Sequence, residues 1–417
     1  MMMSTMWFRG GICAAVGFLL IVWVIAIVED SQFKSESSSF SKKVEIKGSS
    51  IVGYHQGKLS WRIKTAYIWA GRSPYLFRAD RIESGTLYNS DGDVVIDEIE
   101  AERVRVNTKS KTLSAFDNIS GLFIQRVTNE KKVRINADEL RYFSNNKRTY
   151  LYKNVRITRD DMVIYPRHGI EIDNDKNMAY AEKGVVIESD EFMVSANKIV
   201  FYIDDDYSEM SGDVRLERIA EQEDTDKNEL NALDLREQQL RQKKTSLICD
   251  YMMHLYKDDN DVIKIRGNIY ITQEGKRITG DHGYYNKKAG DYTLRGRVTI
   301  KATSLEWVLN KSSESFKNED IKASIEMPVE VSATQLQFDS SDKRLELTGG
   351  VKLTLKDKVI TCEKLVFNDA DHWVTLIGNV TLVKQTGERI VCSLLKLNID
   401  DETVMATQGV VTEFIVK

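Results

Sequence analysis

Gly350-Val351-Lys352-Leu353-Thr354-Leu355-Lys356 is the stretch on which the fold turns. Aliphatic and polar side chains alternate without a break. A period of two puts Val351, Leu353 and Leu355 on one face and Lys352, Thr354 and Lys356 on the other. This is a half-buried strand with one apolar and one charged face. The phrase recurs. It stands at Asn154-Val155-Arg156-Ile157 and at Gly184-Val185-Val186-Ile187. With one residue inserted after the Gly it returns at Gly212-Asp213-Val214-Arg215-Leu216, Gly267-Asn268-Ile269 (then Ile271), Gly296-Arg297-Val298-Thr299-Ile300, Gly378-Asn379-Val380-Thr381-Leu382 and Gly409-Val410. The aligned aliphatic positions 155, 185, 214, 269, 298, 351, 380 and 410 are 30, 29, 55, 29, 53, 29 and 30 residues apart.

A second element lies 16 to 18 residues before most of these glycines. It begins with a small residue and alternates toward an aromatic or aliphatic one. Examples are Ala137 to Tyr142, Ala196 to Phe201, Ala333 to Phe338, Cys362 to Phe367 and Cys392 to Leu397. Each unit of about 29 residues therefore holds two strands, joined by polar turns such as Asn145-Asn146-Lys147 and Ser340-Ser341-Asp342-Lys343. A fixed period of this size signals a repeat architecture. The expected fold is all-β: one continuous antiparallel stack, looser over residues 44–136 and regular over 137–417. Trp61-Arg62-Ile63, Gly85-Thr86-Leu87-Tyr88, Ile99-Glu100-Ala101 and Asn118-Ile119 carry the looser version. The two long spacings are polar insertions at 218–245 and 304–326. The first is a surface helix or a loop, with Leu230, Leu233 and Leu240 at helical spacing.

Composition agrees. Only three prolines occur, so long runs of sheet are permitted. Net charge is −4, with 59 Lys and Arg interspersed among 63 Asp and Glu. That describes a solvated surface and excludes an electrostatic footprint for nucleic acid. Cys249, Cys362 and Cys392 fall in the small-residue slot of the repeat. Equivalent positions two strands apart are about 9–10 Å from each other, too far for a disulfide, so free buried thiols are expected.

Residues Gly10 to Val28 carry no charge. Nineteen residues at a rise of about 1.5 Å give about 28 Å, enough to cross a hydrocarbon core. Arg9 precedes the run and Glu29 and Asp30 follow it, so the N-terminus is expected in the cytoplasm and the rest across the membrane. A cleaved signal peptide fits less well, because the run is long and ends in IAIVEDS. Cys13 precedes the apolar run and is no lipoprotein cysteine. Residues 1–28 thus read as a stub and anchor, and the Ser-rich 29–43 as a tether.

Nothing reads as catalytic. His55, His168, His254, His282 and His372 form no HxH or HExxH pattern and have no Cys at ligand spacing, so no metal or cofactor is expected. Asp281-His282 and Asp371-His372 are adjacent on strands and point to opposite faces. No GxxxxGK[ST] loop is present, so energy for any transport comes from a partner.

At these residues the sequence resembles the LptC/LptA (OstA-like) proteins of lipopolysaccharide export. The anchor and tether, Gly57-Lys58-Leu59-Ser60-Trp61, and Gly85-Thr86-Leu87-Tyr88 leading to the Asp91-Gly92 turn resemble LptC. The units from Ala137 onward resemble the OstA-like repeat of LptA. The chain is longer than a typical LptC and looks like one extended by LptA-like repeats. The resemblance implies a V-shaped twisted jelly roll, open along one side. It also implies a non-enzymatic periplasmic bridge that takes lipopolysaccharide from an inner-membrane ABC transporter (LptB/LptF/LptG-like) and hands it toward an LptA-like or outer-membrane LptD-like protein.

The residue pattern supports a lipid-sheltering role independently. An aliphatic face gains about 0.8 kcal/mol for each methylene it takes from water. The expected groove lining is Val155, Ile157, Val214, Leu216, Ile269 and Ile271, then Val298, Ile300, Leu336, Phe338, Val351 and Leu353, then Leu365, Phe367, Val380 and Leu382. Taken singly, each reads first as ordinary core and second as lipid contact, since a groove needs both. The last strand, with Val410, Thr412, Phe414 and Val416 on one face, is the expected docking edge for the next bridge protein. Roughly twenty strands at about 4.8 Å would extend about 95 Å. Two other classes fit the pattern: a solid β-solenoid of structural or adhesive type, and a bridge for other lipids such as phospholipids.

Overall fold

The computed structural model describes residues 44–70, 73–124, 132–159, 161–218, 244–255, 261–304, 322, 325–368 and 371–413. The apolar run 10–28, the tether 29–43 and nearly all of both insertions lie outside these. Among the described residues, no helix is long and apolar enough to cross a membrane.

Among the described residues, twenty-six strands form a single antiparallel sheet. Six long strands open it: β1 (Val44–His55), β2 (Lys58–Ala70), β3 (Leu76–Tyr88), β4 (Val94–Asn107), β5 (Thr112–Ile124) and β6 (Lys132–Phe143). Eight short ones follow: β7 (Arg148–Tyr152), β8 (Arg156–Arg159), β9 (Met162–Pro166), β10 (Ile170–Asp173), β11 (Met178–Ala181), β12 (Val185–Glu188), β13 (Phe192–Ala196) and β14 (Lys198–Tyr202). Long strands resume with β15 (Tyr207–Arg218), β16 (Thr245–Leu255), β17 (Val262–Gln273), β18 (Lys276–Asn286), β19 (Asp291–Ala302), β20 (Val329–Asp339), β21 (Arg344–Thr354), β22 (Lys358–Asn368), β23 (Trp373–Lys384) and β24 (Arg389–Asn398). β25 (Thr403–Thr407) and β26 (Val411–Glu413) both pair with β24 and are the last strands among the described residues.

The short strands are halves of longer rungs. β7 and β8 both pair with β6, and β13 and β14 both pair with β15. With ten strands counted as five broken rungs, the sheet has 21 rungs, each next to its neighbour in sequence.

Each rung bends near its middle, and the recurring Gly phrase is the bend. Most alternate rungs from β5 onward hold consecutive residues at positive φ, at Asp117-Asn118, Lys153-Asn154, Gly212-Asp213, Gly267-Asn268, Gly349-Gly350, Gly378-Asn379 and Gln408-Gly409, whereas Gly184 and Gly296 stand there singly. The left-handed region is open to Gly and tolerated by Asn and Asp. At seven rungs the bend is thus a two-residue corner. What reads in sequence as an inserted residue is a change in which of the two positions carries the Gly. Where Asn holds the second position, an acid one rung back secures it. Asn154 Nδ2 donates to Asp138 Oδ2 at 2.6 Å, Asn268 Nδ2 to Asp250 Oδ2 at 2.8 Å, and Asn379 Nδ2 to Glu363 Oε1 at 2.7 Å. Register shifts sit at these corners along β15 to β24. The stacked corners fold the sheet into two arms that meet at a crease. β7, β10, β11 and β14 lie in the first arm, and β8, β9, β12 and β13 in the second.

Candidate functional site: a groove between two arms

Register alone sets out the inner faces. In the first arm, Met252, Ile265, Gly283, Leu294, Leu336, Leu347, Leu365, Leu376 and Leu395 are partners in succession, each directly opposite the next. Nearer the mouth runs a second row: Ile263, Tyr285, Tyr292, Phe338, Leu345, Phe367, Val374 and Leu397. In the second arm the equivalent row is Leu216, Leu247, Ile271, Ile278, Ile300, Val331, Leu353, Ile360, Leu382 and Ile390. Ten rungs pass without a charged side chain in that row. Beneath it, against the crease, lie the small positions, with Cys249 opposite Val214, Gly280 opposite Ile269, Ala333 opposite Val298, Cys362 opposite Val351 and Cys392 opposite Val380. The three thiols are free and buried. Burial pushes Cys249 up to about 12 and Cys362 up to about 11, so both stay protonated and inert.

The arms are held shut over part of their length. Ser60, in the second arm, meets the Tyr142 hydroxyl of the first at 2.7 Å, and Lys147 Nζ donates to Ser60 Oγ at 2.8 Å. Ser90 Oγ donates to Asp175 Oδ2 at 2.9 Å. Arg159 reaches Asp206 at 2.6 Å, and Lys287 lies 3.4 Å from Glu191. Each latch joins a turn or strand end of one arm to one of the other. Burial drives the Tyr142 phenol up to about 12, against the hydrogen bond from Ser60. Burial also lowers the Lys147 ammonium, against the pull of Asp175. An apolar cavity of about 50 Å³ survives beneath the third latch, lined by Phe123, Val133, Ile157, Met162, Ile164 and Phe201 among others.

The sequence-predicted lining divides accordingly. Val155 and Ile157 lie in the latched part, both buried, and Ile157 faces the small cavity. Val214, Ile269, Val298, Ile300, Leu336, Val351, Leu365, Phe367 and Val380 are buried on the inner faces of the later rungs. Leu216, Ile271, Phe338, Leu353 and Leu382 are half-buried, nearer the mouth. Phe338 stacks on Tyr292 with ring centroids 5.0 Å apart. Val410 and Thr412 are exposed at the last edge, whereas Phe414 and Val416 lie outside the described residues. The sequence pattern does not single out Tyr285 and Tyr292, because they stand beyond the Gly phrase that sets the alignment of the units.

The acid–histidine neighbours do not assemble into pairs. Asp281 turns both oxygens to Arg297, whose Nη2 donates to Oδ1 at 3.0 Å. His372 Nδ1 meets Asp400 at 2.7 Å in an exposed turn. A pair that sequence reasoning missed is His254–Asp261, at 2.5 Å. Burial raises the Asp261 carboxyl, but His254 and Lys287 outweigh it and hold the group below its ordinary value. This pair anchors Lys287 for the fourth latch. Among the described residues, no group of three or more His, Cys, Asp or Glu is arranged to hold a metal.

Part of the chain has a counterpart among known proteins. Residues 81–220 match the family described as Lipopolysaccharide-assembly, LptC-related. The matched segment begins in β3 and runs past the end of β15, so it covers most of the latched arms. One similar solved structure is that of LptH from Pseudomonas aeruginosa, described as the LptA-homologous periplasmic component of the conserved lipopolysaccharide transport device. It is 11% identical, with a TM-score of 0.25, over 34% of this chain and 95% of that one. No curated protein matches the chain.

Proposed function

We propose that the chain is a non-enzymatic bridge that shelters lipopolysaccharide acyl chains in the groove between its arms and passes them along the stack. One observation carries the reading. Two apolar inner faces run in register across β16 to β24, and most members of their upper rows are left half-buried or exposed instead of being packed shut. Such a surface stays favourable for hydrocarbon at every rung. Near-equal sites about 4.8 Å apart let a lipid move without a deep trap. The LptC-related match over 81–220 favours lipopolysaccharide over phospholipid as cargo.

In this reading residues 10–28 anchor the chain in the inner membrane, with the bulk in the periplasm, and an ABC transporter of LptB/LptF/LptG type loads the groove. The sheet has a strand edge at each end. β1 pairs only with β2 among the described residues, and β25 and β26 only with β24. Val404, Met405, Val410 and Val411 are exposed at the latter edge. An unpaired edge accepts another strand, and an LptA-like or LptD-like partner would add there.

The test is photo-crosslinking in cells from Phe338, Leu353 and Phe367, with the outward-facing Lys352 as control. ATP-dependent lipopolysaccharide adducts at the three and none at Lys352 are expected. Adducts of phospholipid alone would change the cargo. No adduct at any of the three, in an anchored and folded chain, would return the molecule to a structural solenoid.

A further inference from the structure

The connection between β19 and β20 leaves and re-enters the sheet on the second arm, where Ala302 is opposite Val329. Four residues before Val329, Ile325 is buried against Phe367 and Ile399, with Leu345 and Val374 packed beside them. All four partners belong to the first arm. Leu345, Phe367 and Val374 are successive members of its upper row, and Ile399 follows β24, donating its N–H to the His372 carbonyl at 3.0 Å. Ile325 therefore crosses the mouth. Four residues span at most about 14 Å, little more than the roughly 10 Å between two packed sheets. The mouth at this point has the width of an apolar layer.

We infer that Leu345, Phe367, Val374 and Ile399 form an acyl-chain subsite that Ile325 fills until lipid displaces it; this rests on the groove reading above. The four earlier latches are made of hydrogen bonds and ion pairs, which hydrocarbon cannot replace. This closure is wholly apolar, so a polymethylene chain competes with it on equal chemical terms. Among residues 325–328 only Ile325 is buried, with Glu326 and Pro328 exposed beside it, and its release opens the apolar faces of Phe367 and Ile399 that it covers.

The experiment uses the full chain and cis-parinaric acid, a fluorescent fatty acid. Ile325→Ser is expected to tighten binding by about tenfold, the factor set by losing one competing aliphatic side chain. Phe367→Asp is expected to weaken it. Unchanged affinity in Ile325→Ser, beside normal binding by the natural chain, would overturn the subsite and leave the groove standing. No binding by either would overturn both. A second variant, Ile325→Cys with Val374→Cys, separates occupancy from folding within one molecule. Binding lost on oxidation and regained on reduction is expected, and binding indifferent to the disulfide would overturn the proposal.

Discussion

The two halves of this sheet are written in the same phrase and end in different states. Among the described residues, the twelve bulkiest side chains that are wholly buried run from Ile63 to Ile199. From β16 onward the same inward positions hold Ile and Leu of similar size, and many are only half-buried. Strand chemistry does not explain the difference. The mouth does: four polar latches cross it between Ser60 and Lys287, and beyond them the crossing seen among the described residues is Ile325. A repeat can therefore be core or conduit depending on what joins its rims.

The largest expected effect sharpens this contrast. Leu140, wholly buried in the latched half, should lose about 3–4 kcal/mol on truncation to Ala, since a cavity adds to the lost transfer energy. Leu353→Ala, at a half-buried position, should lose about 1 kcal/mol, because its surroundings already meet solvent. Urea unfolding of the two variants decides. Equal losses would mean that the later rungs are filled as tightly as the earlier ones.

The corners give the next contrast. Gly169 has φ +100, and a Cβ there would stand 2.3 Å from the Leu151 carbonyl oxygen, a backbone atom that cannot swing aside. Gly169→Ala should cost about 3 kcal/mol. Gly350 has φ +69, and a Cβ added there would meet nothing within 4 Å, so Gly350→Ala should cost about 1 kcal/mol, the left-handed conformation alone. Thermal melts of the pair would break the comparison if the order reversed.

The latches also impose a pH dependence. The Tyr142 phenol is raised from 10.0 to about 12 in the fold. Its stabilisation is complete below pH 10 and lost as pH rises through about 12, because the unfolded chain releases this proton first. Two units correspond to roughly 3 kcal/mol. Tyr142→Phe should lower stability at pH 8, through the hydroxyl's lost bond to Ser60, and flatten the fall between pH 10 and 12. Lys147 works in the opposite sense: its lowered value makes the fold gain as this amine deprotonates. The net alkaline slope of the natural chain against Lys147→Met separates the two.

The strands, their faces and the slots of the three cysteines were legible in sequence because alternation and the Gly phrase are local. The corner's two-residue nature was not, since Gly moves between the two left-handed positions and hides the constant geometry. The latches were illegible for a different reason. Ser60 and Tyr142 are 82 residues apart and Ser90 and Asp175 are 85 apart, and nothing periodic links them. Ile325 was hidden in the same way: Leu305, Val308, Leu309, Ile321 and Ile325 are scattered through the polar insertion without a strand period, and only burial against the first arm singles out Ile325.

The smallest expected effect concerns the last latch before the mouth opens. Lys287 and Glu191 are about half exposed, and ion pairs of that kind contribute about 0–1 kcal/mol. Glu191→Gln should barely move the unfolding midpoint, and a double-mutant cycle with Lys287→Gln should give a coupling of about 0.5 kcal/mol that fades in 1 M salt. The pair would then serve to hold the rims in register more than to hold the fold together. Lys287 is also tied to Asp261 at 3.6 Å, and Asp261 to His254, so the Lys287 side of the cycle should show a cost of its own that the Glu191 side lacks. A coupling well above 1 kcal/mol would mean that water is excluded from this latch, and the boundary between core and conduit would then lie further along the stack than β18.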